Sequence, residues 1–395
     1  MSTRRRPDRH RTPAAAAAPA PAAASRPRPD PAPAPDAAAA APRRFAVVGA
    51  GIAGVACART LLQAGHEVTV FEREATPGGR MASESTPFGS FDSGAQYFTV
   101  RDPRFELALK TAPGVCKPWS ANLVRVLDPH GRVAEAALPS LEKHWVAQPN
   151  MGALVGRWAA PLGERLVSGA RVTRIEPDAL NRRRWQLRTE GADGATGVHS
   201  NFDAVLLTVP PACARLLLGP GATASGTAAT AKSALPAALA RAIAKVQASP
   251  CWTLMIAFPQ ANQATLSHLG PQWNVARSTH HRVAWLARES SKPGRDAVER
   301  WTLQASPAWS QEHLRDDAAR VEAKLLRAFS EITGIHATPS YARARCWPEA
   351  QTQAPLGQPH LWDPKARIGL AGDWCMGHRV EDAFLSGLSL ALAAL

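Results

Sequence analysis

Three glycines near residue 50 have the spacing of a phosphate-binding turn. Gly49, Gly51 and Gly54 form the pattern Gly-x-Gly-x-x-Gly after the apolar residues 45–48, and a helical segment opens at Ile52. In such a strand–turn–helix unit the first glycine makes the tight turn, the second admits a pyrophosphate, and the third lets helix pack on strand. The helix N-terminus then points free N–H groups, here those of Ile52 and Ala53, at the phosphates. The segment therefore predicts a dinucleotide site.

Glu72 and the turn after it indicate which dinucleotide is bound. Glu72 ends a second predicted strand, at residues 67–71, where its carboxylate can accept hydrogen bonds from adenosine ribose hydroxyls. Gly78-Gly79-Arg80 follows, and it is similar to the second signature of the glutathione-reductase-like flavoproteins. That resemblance implies FAD, with Arg80 reaching the pyrophosphate or the flavin region. By itself the tripeptide could be a plain turn with a surface arginine.

A third segment near the C-terminus completes the predicted cofactor site. A strand at residues 368–371 leads to Gly372-Asp373, which can aim a carboxylate at ribityl or pyrophosphate-proximal groups. The helix at residues 381–395 would point its N-terminus at the flavin N1/C2=O edge and stabilise reduced flavin. Alternatively, this segment only completes the fold. The full predicted set of cofactor contacts is Gly49, Gly51, Ile52, Ala53, Gly54, Glu72, Arg73, Gly79, Arg80, Met81, Ala95, Gln96, Val172, Gly372, Asp373, Val380, Glu381 and Phe384.

Further segments resemble the renalase-like flavoproteins of bacteria, within the flavin-containing amine oxidase superfamily. They are residues 91–99 with 102–105, residues 285–295 and residues 372–387, and the match covers nearly everything from Phe45 onward. The resemblance implies an α/β fold in which a Rossmann-type FAD-binding domain is joined to an α+β substrate domain built on an antiparallel sheet. p-Hydroxybenzoate hydroxylase and monoamine oxidase share that architecture.

The resemblance also implies a reaction. Family members bind FAD without a covalent bond and oxidise dihydronicotinamide isomers of NAD(P)H by hydride transfer to flavin N5. Dioxygen reoxidises the flavin and gives hydrogen peroxide. Two alternatives stay open: an amine oxidase or a desaturase of another small substrate, and a non-redox flavin role suggested only by the basic charge.

Hydride transfer needs a held substrate and a dry site rather than an acid–base pair, and the sequence offers no persuasive triad or metal cluster. We expect Tyr97 and Trp285 to stack on a nicotinamide-like ring. The candidate pocket residues are Gln96, Tyr97, Trp285, Trp347 and His378. Relatives often carry an aromatic pair in the segment that here reads Arg343–Pro348, so Trp347 must replace the missing ring or substrate choice differs.

Other residues invite chemistry less strongly. Both Tyr97 and Trp285 could instead be ordinary core aromatics of a sheet. His280 and His281 lie before a predicted strand and are expected to be surface-loop histidines. Cys375 could tether flavin, although the resemblance implies no such bond.

Composition narrows the partners and the compartment. The first 44 residues hold nine Arg and three Asp, so +6 of the formal charge of +14 lies there and nucleic-acid binding is not predicted. Six cysteines without a Cys-x-x-Cys pair indicate neither disulfides nor zinc and favour the cytoplasm. No apolar run reaches the length of a membrane span. The expected partners are a small substrate and O2, and the oligomeric state is left open.

The elements suggest two interleaved domains. Residues 1–42 form an Ala/Pro/Arg tail expected to be disordered and free of an export signal, and residues 219–236 read as an inserted loop. The FAD-binding domain is predicted at 43–100, about 150–215 and 340–395, and the substrate domain at about 101–149 and 216–339. Further strands are expected at 203–209, 252–258, 283–287 and 301–305, with one long amphipathic helix at 310–333.

Overall fold

The computed structural model describes residues 41–120, 125–136, 142–219, 235–262 and 273–395. The predicted tail and most of the predicted insertion at 219–236 lie outside these ranges. In chain order, the strands of the described ranges are β1 (Arg44–Val48), β2 (Glu67–Phe71), β3 (Glu84–Thr86), β4 (Gly89–Phe91), β5 (Cys116–Trp119), β6 (Arg125–Leu127), β7 (Val133–Ala136), β8 (His144–Ala147), β9 (Leu166–Val167), β10 (Ala170–Pro177), β11 (Trp185–Gly191), β12 (Thr196–Phe202), β13 (Ala204–Leu207), β14 (Gln247–Phe258), β15 (Val275–Ser278), β16 (Val283–Arg288), β17 (Glu299–Ala305), β18 (Tyr341–Ala354), β19 (Leu361–Asp363) and β20 (Ile368–Leu370). The helices are α1 (Ile52–Gln63), α2 (Pro103–Lys110), α3 (Gly152–Ala159), α4 (Pro211–Leu218), α5 (Ala237–Ile243), α6 (Pro307–Glu312), α7 (Ala318–Thr333), α8 (Asp373–Met376) and α9 (Val380–Ala394).

A six-stranded sheet carries the glycine turn, in the spatial order β19-β20-β13-β1-β2-β9. All its neighbouring strands are parallel except β19 and β20. β1 is apolar without alternation because both of its faces are covered. Phe45 and Val47 pack in one core with α1 and α9, whereas Ala46 and Val48 pack on the other side with the sheet β10-β11-β12. This confirms the predicted Rossmann-type arrangement.

The second large sheet has seven strands in the order β18-β14-β17-β16-β15-β6-β7. Its pairs are antiparallel apart from β15 with β6. α7 covers one face, where Leu325 and Phe329 are buried in a core with Leu254 and Leu303 of the sheet. This is the antiparallel sheet that the sequence predicts.

The single long helix predicted at residues 310–333 is wrong. The segment contains α6, which begins earlier at Pro307, and α7, which begins at Ala318. Ser306 and Asp317 each accept a hydrogen bond from a backbone N–H of the following helix, so each is an N-cap. The apolar periodicity continued across the break because both helices pack on the same sheet.

The predicted assignment of all residues after 340 to the FAD-binding domain does not fit the position of β18. β18 pairs with β14 along Gln247–Ala257, so this long strand belongs to the seven-stranded sheet rather than to the dinucleotide-binding part. Conversely, α2 follows residue 101 but buries Phe105 against Phe384 of α9, in the core beside β1. Within the described ranges, no helix is both long and apolar enough to cross a bilayer.

Candidate functional site

The glycine turn between β1 and α1 has the geometry that its sequence predicts. Gly49 adopts φ +99°, a conformation that side chains disfavour. A Cβ on Gly54 would lie 1.9 Å from the Gly49 carbonyl oxygen, so the helix touches the turn directly. A Cβ on Gly51 would meet only the Gly79 Cα, at 3.9 Å. Gly51 therefore leaves one side of the turn open to a ligand.

The N-terminus of α1 fits a pyrophosphate. No side chain caps this twelve-residue helix at Gly51, and its first turn contains no acidic residue. The first-turn N–H groups of Ile52 and Ala53 therefore keep their capacity to bind an anion. Gly51 also bridges to Gly78, and the Gly78 N–H donates to the Ala50 carbonyl at 3.0 Å, which brings the second glycine pair beside the first.

Glu72 lies at the edge of this turn with only 6% of its surface exposed. Its carboxylate accepts hydrogen bonds from the backbone N–H of Ala50, at 2.6 Å, and of Glu74, at 3.0 Å. The acid is therefore held beside the turn, and its contact with a ribose remains a prediction. Arg73 is exposed and pairs with Glu74 at 3.2 Å.

Arg80 and Asp373, which the sequence predicts to approach the cofactor separately, form an ion pair. The Arg80 Nη1 lies 3.0 Å from Asp373 Oδ2, and Nη2 contacts Oδ1. Thr352 donates to Asp373 at 3.2 Å, and Arg80 also donates to the Ala350 carbonyl of β18 at 3.2 Å. Burial by itself would lower the pKa of Arg80, but the Asp373 carboxylate raises it. Both sheets thus meet at the Gly78–Arg80 turn.

The segment from Asp92 to Tyr97 lies against this turn. The Ala95 N–H donates to the Arg80 carbonyl at 2.8 Å, and a Cβ on Gly94 would lie 2.1 Å from that same oxygen. Gln96 is 5% exposed, and its amide nitrogen donates to the carbonyls of Asp92 and Gly94. Its side chain therefore points into the protein, and a role of Gln96 in lining a substrate pocket stays a prediction.

The rings of Tyr97 and Trp285 lie close together, and His144 lies beside Tyr97. The Tyr97 ring lies 5.8 Å from Trp285, with an interplanar angle of 33°, and 4.2 Å from His144. The Trp285 indole nitrogen is buried and finds no hydrogen-bond partner in the described part of the chain. Burial lowers the pKa of His144, which favours the neutral ring. Sequence reasoning missed His144 because it belongs to β8, far from both partners in the chain.

The remaining predicted pocket residues take different positions. Trp347 is 8% exposed, donates its indole N–H to the Ser93 carbonyl at 2.9 Å, and carries the Arg345 guanidinium 4.2 Å from its ring centroid. His378 is exposed just before α9. His280, expected on the surface, is instead buried, with 6% of its surface exposed, and its ring lies 3.2 Å from the Glu331 carboxylate on α7.

Several predicted cofactor contacts are used inside the protein instead. The Glu381 carboxylate accepts the backbone N–H groups of Arg101 and Asp102, each at 2.7 Å. The Phe384 ring packs 5.0 Å from Phe105 and 5.5 Å from Trp158, so it belongs to the core, and its contact with a cofactor stays a prediction. The others are Met81 and Gly372, both buried, and Val172 and Val380, both half-buried.

A buried cluster of charges beside Gln96 was not predicted. Lys292 lies 2.9 Å from Asp92 and 3.0 Å from Glu289, and Arg295 lies 2.7 Å from Asp92. Burial would raise the pKa of Asp92, but Lys292 and Arg295 lower it well below its usual range. Burial raises the pKa of Glu289. The sequence gives no signal for this cluster, because Asp92 is separated from the other three by about 200 residues.

Metal chemistry and a thiol tether find no support in the geometry. The described residues contain no group of three or more His, Cys, Asp or Glu side chains placed to hold a metal ion. Cys375 is buried, and burial raises the pKa of its thiol to about 12, so the thiolate needed for covalent attachment is disfavoured.

Comparisons with known proteins agree with this architecture. Residues 47–110 match the family described as an NAD(P)-binding Rossmann-like domain, and residues 135–395 match the family described as flavin containing amine oxidoreductase. The structure is similar to that of cyclohexylamine oxidase from Brevibacterium oxydans IH-35A, with a TM-score of 0.64 and 14% identity over 89% of this chain and 98% of that one. At this identity, the likeness concerns the fold.

Sequence relatives match only a short segment. A 4,4'-diapophytoene desaturase (4,4'-diaponeurosporene-forming) of Staphylococcus haemolyticus is 44% identical over 57 residues, which are 14% of this chain and 11% of that protein. A hydroxyneurosporene desaturase of Cereibacter sphaeroides is 45% identical over 56 residues, again 14% and 11%. The chain thus spans about a tenth of the length of these relatives.

Proposed function

We propose, from the premise that this chain belongs to the flavin containing amine oxidoreductase family, that it is an FAD-dependent oxidase of the renalase-like type. Its substrates would be dihydronicotinamide isomers of NAD(P)H. The cofactor is FAD, and when bound it supplies a hydride acceptor at N5 that dioxygen can reoxidise with release of hydrogen peroxide.

The observation that carries this proposal is the aromatic group of Tyr97, His144 and Trp285. Its rings can stack on a flat, electron-rich heterocycle, and their spacing of 4.2 and 5.8 Å is that of interacting aromatic rings. Among the described residues the buried Trp285 indole N–H has no acceptor, and a substrate acceptor such as the nicotinamide carboxamide oxygen would supply one. An aliphatic amine offers neither a stacking face nor that acceptor.

The chain's other residues hold the cofactor. The Ile52 and Ala53 N–H groups and Gly51 would hold the pyrophosphate, and Glu72 would accept from the ribose. The Arg80–Asp373 pair joins the turn after Glu72 to the segment that follows β20. None of these groups needs to move a proton. This suits a hydride transfer, in which the main requirement is that the substrate carbon is held in the correct position and orientation.

The direct test is anaerobic mixing with borohydride-derived NADH isomers. We expect an isomer carrying its hydride at the unusual ring position to bleach the flavin absorbance within seconds, and air to restore it with peroxide formation. Trp285→Phe keeps a ring but removes the N–H, so it should raise KM with little change in the flavin spectrum. Failure of every isomer to bleach the flavin would overturn the proposal.

A second candidate, oxidation of a small amine, follows from the name of the matched family and of the cyclohexylamine oxidase fold neighbour. A panel of primary and secondary amines under the same conditions separates the two. Flavin bleaching by an amine and by no dihydronicotinamide would select the amine.

A further inference from the structure

The buried charge cluster beside the Gly78–Arg80 turn has no place in the chemistry above. We propose that Lys292 is a positioning residue that fixes the Gln96 amide and, through it, the segment that packs against the Arg80 turn where FAD is held. The proposal concerns cofactor binding and does not depend on which substrate is oxidised.

Lys292 is placed to use all three protons of its ammonium group. Nζ donates to Asp92 Oδ2 at 2.9 Å, to Glu289 Oε1 at 3.0 Å and to Gln96 Oε1 at 3.1 Å. The side chains of Lys292, Asp92 and Glu289 are fully buried. A buried ammonium group is retained only where its donors are satisfied, and this one is.

The contact to Gln96 decides which way the amide faces. Because Lys292 donates to the amide oxygen, the amide nitrogen must face the opposite side, where it donates to the carbonyls of Asp92 and Gly94. Gln304 of β17 donates to the same Gly94 carbonyl at 2.7 Å. The backbone between Asp92 and Gly94 is therefore fixed by two amide side chains.

That backbone packs against the Gly78–Arg80 turn. Gly94 lies so close to the Arg80 carbonyl that a Cβ has no room, and the neighbouring Ala95 N–H donates to it. The same turn contacts the phosphate turn, since a Cβ on Gly79 would lie 3.2 Å from Gly51 Cα. A shift of Gln96 is thus passed through packed backbone to the glycines that would face the pyrophosphate.

The cluster also joins two parts of the fold. Lys292 and Glu289 follow β16 of the seven-stranded sheet, whereas Asp92 and Gln96 follow the β3–β4 hairpin and lead to the core beside β1. Without the Lys292 charge, Asp92 would keep its ion pair with Arg295, and Glu289 would lose the ammonium group that it contacts. The segment would then relax away from the turn.

The test compares three variants as purified holoenzymes. Lys292→Met removes the charge and keeps the length, and Gln96→Leu removes only the amide contact. Arg300→Met is the matched control, because Arg300 is a fully buried cation that donates to the carbonyls of Ser90 and Asp296 without touching Gln96. We measure FAD release after dilution by the recovery of flavin fluorescence, together with flavin circular dichroism and the thermal midpoint.

We expect Lys292→Met and Gln96→Leu to release FAD about tenfold faster, the scale on which loss of an outer-shell partner weakens bound groups at metal sites. Both should change the flavin circular dichroism. Arg300→Met should lower the thermal midpoint and leave both flavin readouts at their wild-type values. Lys292→Arg should release FAD at a rate between those of the wild type and Lys292→Met. It keeps the charge, but a planar guanidinium cannot contact the same three acceptors.

Two results would overturn the proposal. One is a Gln96→Leu variant whose FAD release and flavin circular dichroism equal those of the wild type. This result alone would overturn the proposal even if Lys292→Met did not fold. The other is an Arg300→Met variant that loses FAD as fast as Lys292→Met, because the cluster would then act only through general stability.

Discussion

Replacing Gly54 with alanine tests whether the cofactor is held by the contact between α1 and its turn. The added Cβ would lie 1.9 Å from the Gly49 carbonyl oxygen and 2.5 Å from Thr208 Oγ1. A Cβ needs at least 3.0 Å, so the start of α1 must withdraw by about 1.1 Å to restore that contact. Both neighbours are held in place, since Thr208 donates to the carbonyls of Val48 and Gly49 at 2.9 Å.

The expected magnitude follows from this displacement. A hydrogen bond of about 3.0 Å that lengthens by that amount lies beyond the useful range for N–H donors. Two charge-assisted bonds, from Ile52 and Ala53, are worth about 1.5–3 kcal/mol each. Their loss weakens FAD binding by at least about a hundredfold, since each 1.4 kcal/mol is about a factor of ten. Overpacking should also lower the free energy of unfolding by about 1–3 kcal/mol.

The assay is the flavin-to-protein ratio of the purified variant, followed by FAD titration and thermal unfolding. Gly156→Ala is the matched control: Gly156 lies inside α3, and a Cβ there meets nothing within 4 Å. This control should keep its flavin and gain up to about 1 kcal/mol of stability, because alanine is the better helix former. A Gly54→Ala protein that retains stoichiometric FAD with wild-type affinity would refute the reasoning.

Three further outcomes are expected. Asp373→Asn leaves Arg80 without its anion, so FAD content should fall and the free energy of unfolding should drop by about 1–2 kcal/mol, measured by denaturant titration; unchanged values would contradict the pairing. Iodoacetamide at pH 8 should leave Cys375 unlabelled in the folded protein and label it in urea, because the side chain is buried and burial raises the pKa of its thiol to about 12; rapid native labelling would contradict that burial. Below pH of about 4 the free energy of unfolding should fall, because the pKa of Asp92 is lowered in the folded state and the unfolded chain then binds the additional proton; Asp92→Asn should flatten this limb, and an equally steep limb in that variant would refute it.

The dinucleotide turn could be predicted because all its determinants are local. β1, Gly49, Gly51, Gly54 and Glu72 lie within about thirty residues, and each has a conformational or chemical reason to be where it is. The bounds of β2 were predicted to the residue, since Gly65 and the end of the apolar run fix them. Tyr97 and Trp285 were expected only to stack on a substrate ring, and their closeness to each other is seen only in the structure.

What could not be predicted depends on contacts distant in sequence. Nothing in residues 289–295 shows that Lys292 turns inward, because its three acceptors come from two separate segments. Phe384 lies in a motif expected to face the flavin, yet which side of α9 meets the core is settled by Phe105 and Trp158. The break between α6 and α7 had local signals, Ser306 and Asp317, but the continuing apolar period masked them.

β18 contacts both the Arg80–Asp373 pair and the segment beside Gly94. Its Ala350 carbonyl and Thr352 hydroxyl hold the Arg80–Asp373 pair, while Trp347 of the same strand is fixed to the Ser93 carbonyl beside Gly94. The segment Arg343–Pro348, which the resemblance led us to expect to differ from renalase-like proteins, is therefore joined through Trp347 to the segment beside the Gly78–Arg80 turn. A smaller side chain at Trp347 would free the Ser93 carbonyl and loosen the segment that contacts Arg80. Substitutions in β18 that disturb these contacts should consequently change flavin properties, even where they do not touch the flavin.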